Sequence, residues 1–572
     1  MKHYHKLIIA IFTSVSLVSC SKDFLQRSPL DEVTALDYFK APDDLKAYVN
    51  QYYASMFPKY GNHGSDFNSD NEITLSPDRR LEGSRTVSTS GSIGFGNVRS
   101  INYFFDHYRK VEEKHELGEY QQYLGEAYFF RALIYYGLLR SYGDIQWQQT
   151  GLGTSSPELY NARDPRNVVA DNILLALDSA AMYLGAEQGA GAGRVNRWMA
   201  LLVQSRVALY EGSWEKYHAG TPFGVEGSDP SKYFRKAADA AREVIDDGPY
   251  RIYSTGDPGS DYRDLFSSQD YTRHPEVMFW REYNNELTRG STAFTNDRNF
   301  RMETPSGKTA TKWLADSYLC SDGLPISLSP RFGGHGTLVS EAAGRDPRFR
   351  QTIATPDQVW KVFQNGDVLY WDEIYDNLNK TADYNAPSGY VIQKGYNPNM
   401  AYHIQQYEES PSILYRYAEV LLNYAEAKAE LGELTQADID ISIKPLRDRV
   451  GMPNLVLSDI QADPDWHFPG LSPAINEIRR ERRVELALEG FRWDDIARWA
   501  AADELLIGER PKGFKASQVA NNTFPVDGDG FLDPFQIALP DGYQFDPERD
   551  YLNSIPETEI VLNPALTQNP GW

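Results

Sequence analysis

The stretch Ala474–Trp499 constrains this chain more than any other. Ile475, Ile478, Arg482, Glu485 and Glu489 fall at helical spacing, and so do Val484, Leu488 and Phe491. An apolar stripe therefore runs beside a charged one. Glu481, Glu485 and Glu489 repeat at i, i+4 among Arg479, Arg480, Arg482 and Arg483, a spacing that supports ion pairs along one helix. Gly490 interrupts the pattern, and Trp493 and Trp499 follow as large apolar anchors. Such a helix reads either as a solvated, salt-bridged face or as the carrier of a glycosidase carboxylate pair. The second reading needs an acid of raised pKa beside an ionised base. Four arginines instead hold each glutamate ionised. The helix is structural on this reading.

The same residues resemble the C-terminal signature of the SusD/RagB family, the outer-membrane nutrient-binding lipoproteins of Bacteroidetes. Ile478, Arg479, Glu481, Arg482, Arg483, Glu485, Leu486, Glu489, Gly490, Arg492, Asp495, Arg498 and Trp499 meet it. Ile496 stands where the family usually has Leu, and Trp493 takes a variable aromatic position.

Residues 1–19 read as a signal peptide. Lys2 and Lys6 precede the apolar run Leu7–Val18, which is too short to span a bilayer as a stable helix. The run ends in Leu17-Val18-Ser19-Cys20, similar to a bacterial lipobox, so Cys20 is the expected site of acylation. Lys22-Asp23 resembles part of the signal that sends such lipoproteins to the cell surface. Asp23-Phe24-Leu25 through Pro29, then Thr34, Phe39 and Leu45–Tyr53, resemble the family's N-terminal tether and first helix.

Composition fits an exported body. The chain has two cysteines, Cys20 and Cys320, so lipidation of the first leaves no intrachain disulfide. The formal charge is −23. A field of that sign repels nucleic acid and anionic lipid surfaces. Aromatic residues make up 13% of the chain, enough for a core and some for a binding face.

Helical periodicity predicts segments at Val98–Glu113, Glu119–Tyr142, Asp171–Leu184, Val195–Glu211, Lys232–Asp247, Ile413–Leu431 and Gln436–Val450. Asp246-Asp247-Gly248-Pro249 is a stop signal. Recurrent helix–turn–helix units with small residues, as in Asn423–Ala427, read as tetratricopeptide-like pairs. The expected fold class is mainly α. Tetratricopeptide-like helix pairs form a superhelical scaffold over about 40–250 and 412–502, the architecture that the resemblance also implies. A loop-rich, irregular region over about 58–97 and 250–411 packs on it, and 20–572 is one domain. Val277-Met278-Phe279-Trp280 and Val391-Ile392 are strand-like within that region. Family landmarks recur there: Asp316-Ser317-Tyr318, Asp322–Ile326, Asp346-Pro347-Arg348 and Gly389–Lys394. The terminus Asn563–Trp572 matches the family's usual ending with Trp for Tyr. The resemblance thus covers the mature chain.

Catalytic signatures are missing: no His-Glu-x-x-His, Cys-x-x-Cys, phosphate loop or Gly-x-Ser-x-Gly elbow occurs. The alternating glycines of Gly189–Gly193 follow no strand and read as a flexible turn. Asp527–Asp533 is similar to an acidic calcium loop but lacks the EF-hand acids at its fifth and twelfth positions. No cofactor is expected, with calcium at that loop as the alternative.

Three functions are open to such a chain. The resemblance implies a surface lipoprotein that binds a glycan and passes it to a SusC-like TonB-dependent transporter. The alternative is RagB-like capture of peptides, and the third is a glycoside hydrolase. Sugars present flat C–H faces edged by hydroxyls and call for exposed aromatics beside planar polar groups. The family places ligands on loops before the helix that begins near Asn97 and on loops of the irregular region. Asn68, Asp70, Arg79, Arg80 and Phe95 are the candidates in the first; Arg298, Phe300, Trp360, Tyr370 and Trp371 are those in the second. Trp360 and Trp371, flanking the turn Asn365-Gly366-Asp367, are expected to form a stacking platform.

Overall fold

The computed structural model describes residues 38–57, 66–67, 69–186, 193–287 and 295–572. Cys20, Asn68 and most of the Gly189–Gly193 turn lie outside them. The principal helices are α1 (Pro42–Met56), α2 (Gly96–His107), α3 (Leu117–Tyr142), α4 (Arg166–Tyr183), α5 (Arg197–Tyr217), α6 (Pro230–Asp247), α7 (Tyr417–Glu430), α8 (Gln436–Arg449), α9 (Pro473–Glu485) and α10 (Arg492–Arg498). Their starts follow side-chain chemistry. Asn196 caps α5 by accepting the Met199 N–H, and Ser472 caps α9 ahead of a proline at its first position. Thr435 and Asp438 make a reciprocal capping box on α8.

Each helix from α3 to α6 packs on the next. The chain then leaves the stack, and α7 returns to pack on α6, so the helical array continues across residues 248–416. Small residues set the spacing. A Cβ at Gly212 in α5 would stand 3.0 Å from the Phe234 ring of α6, so a larger residue would push these helices apart. Charge pairs stitch the stack at depth: Arg166 to Glu211 at 2.7 Å and Arg206 to Glu419 at 2.6 Å.

Short antiparallel pairs join β1 (Glu72–Ile73) to β3 (Thr309–Ala310), β2 (Val277–Arg281) to β6 (Ser412–Arg416), and β4 (Val359–Val362) to β5 (Val368–Tyr370). The predicted helix Ile413–Leu431 therefore begins late, at Tyr417. Ile413, Leu414 and Tyr415 are buried and run extended, with Trp280 opposite Ile413 and Val277 opposite Arg416. β-branched and aromatic side chains suit a strand covered on both faces, and pairing with β2 overrides helical periodicity. Val391-Ile392 makes a single bridge, Ile353 to Ile392, instead of a strand. A second apolar core, around Trp371, Tyr390 and Phe514, joins the irregular region to residues 514–532 and includes Val484 and Leu488 from the signature.

The signature itself departs most from expectation. It is structural, but it is no solvated face: Glu481, Arg482, Glu485, Glu489, Arg492, Asp495 and Arg498 are all buried. Helix α9 stops at Glu485, and the chain turns through Leu488 (φ +61°) and Gly490 (φ +83°) before α10. Buried Asp66 holds that turn, accepting the backbone N–H of Leu488 at 2.7 Å and of Gly490 at 2.9 Å. The glutamates mostly reach away from their own helix. Glu481 pairs with Arg348 (2.6 Å) and Arg447 (2.8 Å). Glu485 pairs with Arg348 (2.9 Å), Arg416 (2.7 Å) and Arg449 (2.6 Å). Glu489 takes Arg416 (2.6 Å) and Lys394 (2.7 Å). A buried ion is tolerated only when its charge is met. The landmarks Asp346-Pro347-Arg348 and Gly389–Lys394 thus supply counter-charges from the irregular region, which the signature rivets to α8 and β6.

Candidate functional site

The expected ligand residues scatter. Asp70 is buried and accepts both Arg483 (2.8 Å) and Arg492 (2.6 Å), which hold its carboxyl far below the usual range although burial alone would raise it. It is a counter-ion for the signature. Arg79 is exposed and donates to the Ser84 carbonyl. Arg80 lies 4.1 Å over the Trp493 ring. Arg298 is buried and donates to the Pro411 carbonyl at 2.7 Å. Phe300 and Tyr370 are exposed.

The stacking platform is corrected. Trp360 is 5% exposed and Trp371 0%, their ring centroids 5.9 Å apart, with Tyr396 behind Trp371 at 5.4 Å. Trp360 lies on β4 between exposed Val359 and half-buried Lys361 and turns inward. All of β5 is exposed, and Trp371 lies just past it, where the chain enters the short helix Asp372–Tyr375 and the ring folds under the hairpin. Tyr370, 47% exposed, is the more exposed of the two rings the hairpin presents outward, Phe363 being the other.

Phe95 is the one expected ligand residue that lines a described cavity. A cavity of about 450 Å³ opens at the start of α2. Phe95, Tyr142, Leu152 and Leu159 give it apolar faces; Gln146, Gln148, Asn563, Arg99, Arg163, Asp144 and Glu559 give it polar edges. Three distant segments build it. Asn102 and Asp106 of α2 fix the loop after α3: the Asn102 amide donates to the Gln148 (2.9 Å) and Thr150 (3.0 Å) carbonyls, and Asp106 accepts the Gly151 N–H at 2.7 Å. The C-terminal segment closes the far wall. Asn563 donates to the Leu159 and Asn161 carbonyls at 3.1 and 2.9 Å, and Asn569 to that of Tyr142 at 2.9 Å. These side chains are spent on positioning, which leaves ring faces, amides and charges at the opening.

Apart from Phe95, sequence reasoning missed this lining. Two signals were present: the run Gln146-Trp147-Gln148-Gln149 just after the helix stop at Gly143, and the family-like ending Asn563–Trp572, whose amides hold the wall.

Candidate metal positions are held by ammonium and guanidinium groups. Asp527 and Asp533 face Lys512 at 3.2 and 2.8 Å, and Asp533 also pairs with Arg510 at 3.0 Å. Asp316, His335 and Glu341 come together, but the Lys312 ammonium pairs with Asp316 and lies 3.5 Å from His335. A hard cation there would have to displace a lysine.

Comparison with known proteins follows the same lines. Residues 258–572 match the sequence profile of the SusD family. The SusD-like protein P2 of Formosa agariphila is 23% identical, with 100% of each chain covered. A SusD-like protein of Bacteroides fragilis superposes with a TM-score of 0.71 at 23% identity, over 96% of this chain and 100% of that one. A SusD-like carbohydrate-binding protein from the same species gives a TM-score of 0.68 at 20% identity, over 92% of this chain and 99% of that one. The mainly α, superhelical architecture is common to them. Among the described residues, no helix is long and apolar enough to cross a membrane.

Proposed function

The chain belongs to the SusD family, and from that premise we propose that it is a non-catalytic, glycan-binding lipoprotein of the outer membrane, anchored through Cys20 and facing the cell exterior. It captures an oligosaccharide and delivers it to a SusC-like TonB-dependent transporter. The observation that carries this reading is the cavity at the start of α2. Its apolar ring faces stand beside amide, carboxylate and guanidinium groups, the mixture a sugar's two kinds of surface require. A similar fold in a protein described as carbohydrate-binding supports it.

Catalysis is not part of the proposal. The carboxyl of Glu215, pushed up to about 7 by burial and by neighbouring Glu211, has the character of a general acid. It lies on α5 inside the stack and lines none of the cavities described. Bound glycan is therefore recovered intact.

The test is a panel of oligosaccharides and peptides presented to the full-length protein in detergent. Binding of an oligosaccharide is expected, with Phe95→Ala weakening it about tenfold, roughly 1.4 kcal/mol, through loss of one stacking face. Binding of peptides alone would replace this reading with peptide capture. For the anchor, radiolabelled fatty acid should enter the wild-type chain and not Cys20→Ser. Labelling that persists without the thiol would remove Cys20 from the scheme. Co-isolation with a SusC-like transporter from outer membranes reads out the partner.

A further inference from the structure

We infer that this cavity is built for an acidic glycan, one whose sugar carries a carboxylate or sulfate group received between Arg99 and Arg163. The inference rests on the glycan-binding reading above and names the ligand class within it.

Arg99 is the first ground. The protein is strongly acidic overall, at −23, yet this cavity is lined by two arginines. Among the described residues, the exposed Arg99 guanidinium has no hydrogen-bond or ion-pair partner. It sits one turn into α2, a helix with no acidic residue in its first turn and no side-chain cap. The positive end of a helix disfavours a cation at that place. Neither helix stability nor charge pairing explains an arginine here; an incoming anion explains both its position and its freedom.

Arg163 is the second. It is half-buried, and every acceptor it meets is neutral: the Tyr142 and Asp144 carbonyls at 3.3 Å, Asn569 Oδ1 at 2.6 Å and Thr567 Oγ1 at 3.3 Å. Its Nε is buried without a partner. Arg166, three residues on, shows the alternative, gripping Glu211 through two hydrogen bonds. Arg131, Arg298 and Arg345 also lack a carboxylate, but none of them lines this cavity. Guanidinium groups match the oxygens of carboxylate and sulfate through paired N–H donors.

The carboxylates in the lining suit the rest of a sugar. Asp144 Oδ1 accepts the Arg166 backbone N–H at 2.9 Å, and Glu559 Oε1 accepts that of Ile93 at 3.4 Å. Each has oxygen left to accept from a hydroxyl. An acidic sugar offers both the hydroxyls and the anion.

The experiment uses matched pairs on the full-length protein: oligogalacturonate against its methyl ester, and sulfated galactan oligosaccharides against their desulfated forms. These are set within the wider glycan panel, and each acidic binder on that panel is paired with its neutralised form. The expected result is that the tightest ligand is acidic and its neutral counterpart binds at least tenfold more weakly. The two pairs separate carboxylate from sulfate. Arg99→Gln should abolish that discrimination, leave weak binding of the neutral form, and melt with the wild type. A neutral glycan bound as tightly as its acidic form, or discrimination that survives Arg99→Gln, overturns the inference while leaving glycan binding intact. Failure to bind any glycan overturns the function proposed above and this inference with it.

Discussion

Glu485→Ala is expected to destabilise the protein by about 3–5 kcal/mol, the cost of leaving buried charge without its partner. Glu485 is fully buried and takes Arg348, Arg416 and Arg449 on its two oxygens, while its own backbone carbonyl accepts from Tyr262 (2.6 Å) and Arg416 (2.8 Å). Removing it leaves three guanidinium groups facing one another around an empty place. Arg348 comes from the irregular region and Arg449 from α8, so the loss loosens the joint between the two parts of the fold. The same cluster sets an acid limit. Burial alone would raise the Glu485 carboxyl, but Arg449, Arg416 and Arg348 hold it far below the usual range. Asp70, Glu481, Glu489 and Asp495 are lowered in the same way. A carboxyl whose pKa is lower folded than unfolded adds stability above its unfolded pKa, about 4, and loses it as pH falls toward the folded value. Unfolding should therefore steepen below about pH 4. Denaturant and pH melts of Glu485→Ala and Glu485→Gln check both points; variants that melt with the wild type would remove Glu485 from the joint.

Trp371→Ala should lower stability by about 3–5 kcal/mol, as for other large aromatics cut to alanine in a packed core, and leave glycan affinity unchanged. Trp371 is fully enclosed, with Trp360 and Tyr396 against it and Ile374 and Leu378 in the same cluster. Tyr370→Ala, one residue away on the outer face, should scarcely alter the melt. Thermal scans with a binding assay on the same samples decide the matter. Normal melting with lost binding in Trp371→Ala would return the tryptophans to a ligand surface.

Much of the helical scaffold was legible because its signals are local. In α3, Tyr120, Leu124, Ala127 and Tyr135 recur in steps that place them on the buried side, and Asp246-Asp247-Gly248-Pro249 ends α6 where expected. The start of α2 beside Phe95 was also within reach, since the predicted boundary lies two residues away. Ile413–Tyr415 misled because extended and helical backbones compete for the same apolar run, and the partner strand lies far upstream. The candidate site was barely legible. Phe95, Tyr142, Arg163 and Glu559 meet only after α2, the loop behind α3 and the C-terminus have been brought together.

By itself, the sequence determined the class of fold, the family likeness and the fact that Ala474–Trp499 is structural: periodicity, capping residues and motif spacing are properties of neighbours along the chain. Tertiary structure alone decided whether a charge is solvated and which partner it meets. Glu485 and Arg482 look like members of a surface ladder because a helix places their side chains at ion-pairing intervals. In the fold Glu485 meets Arg348, Arg416 and Arg449, and Arg482 meets Asp495, because packing excludes water and each buried ion then needs a counter-charge wherever the chain supplies one. The same exclusion of water turned two tryptophans inward, and the meeting of distant segments put two arginines in one cavity lining, outcomes that depend on which surfaces meet and not on the order of residues along the chain.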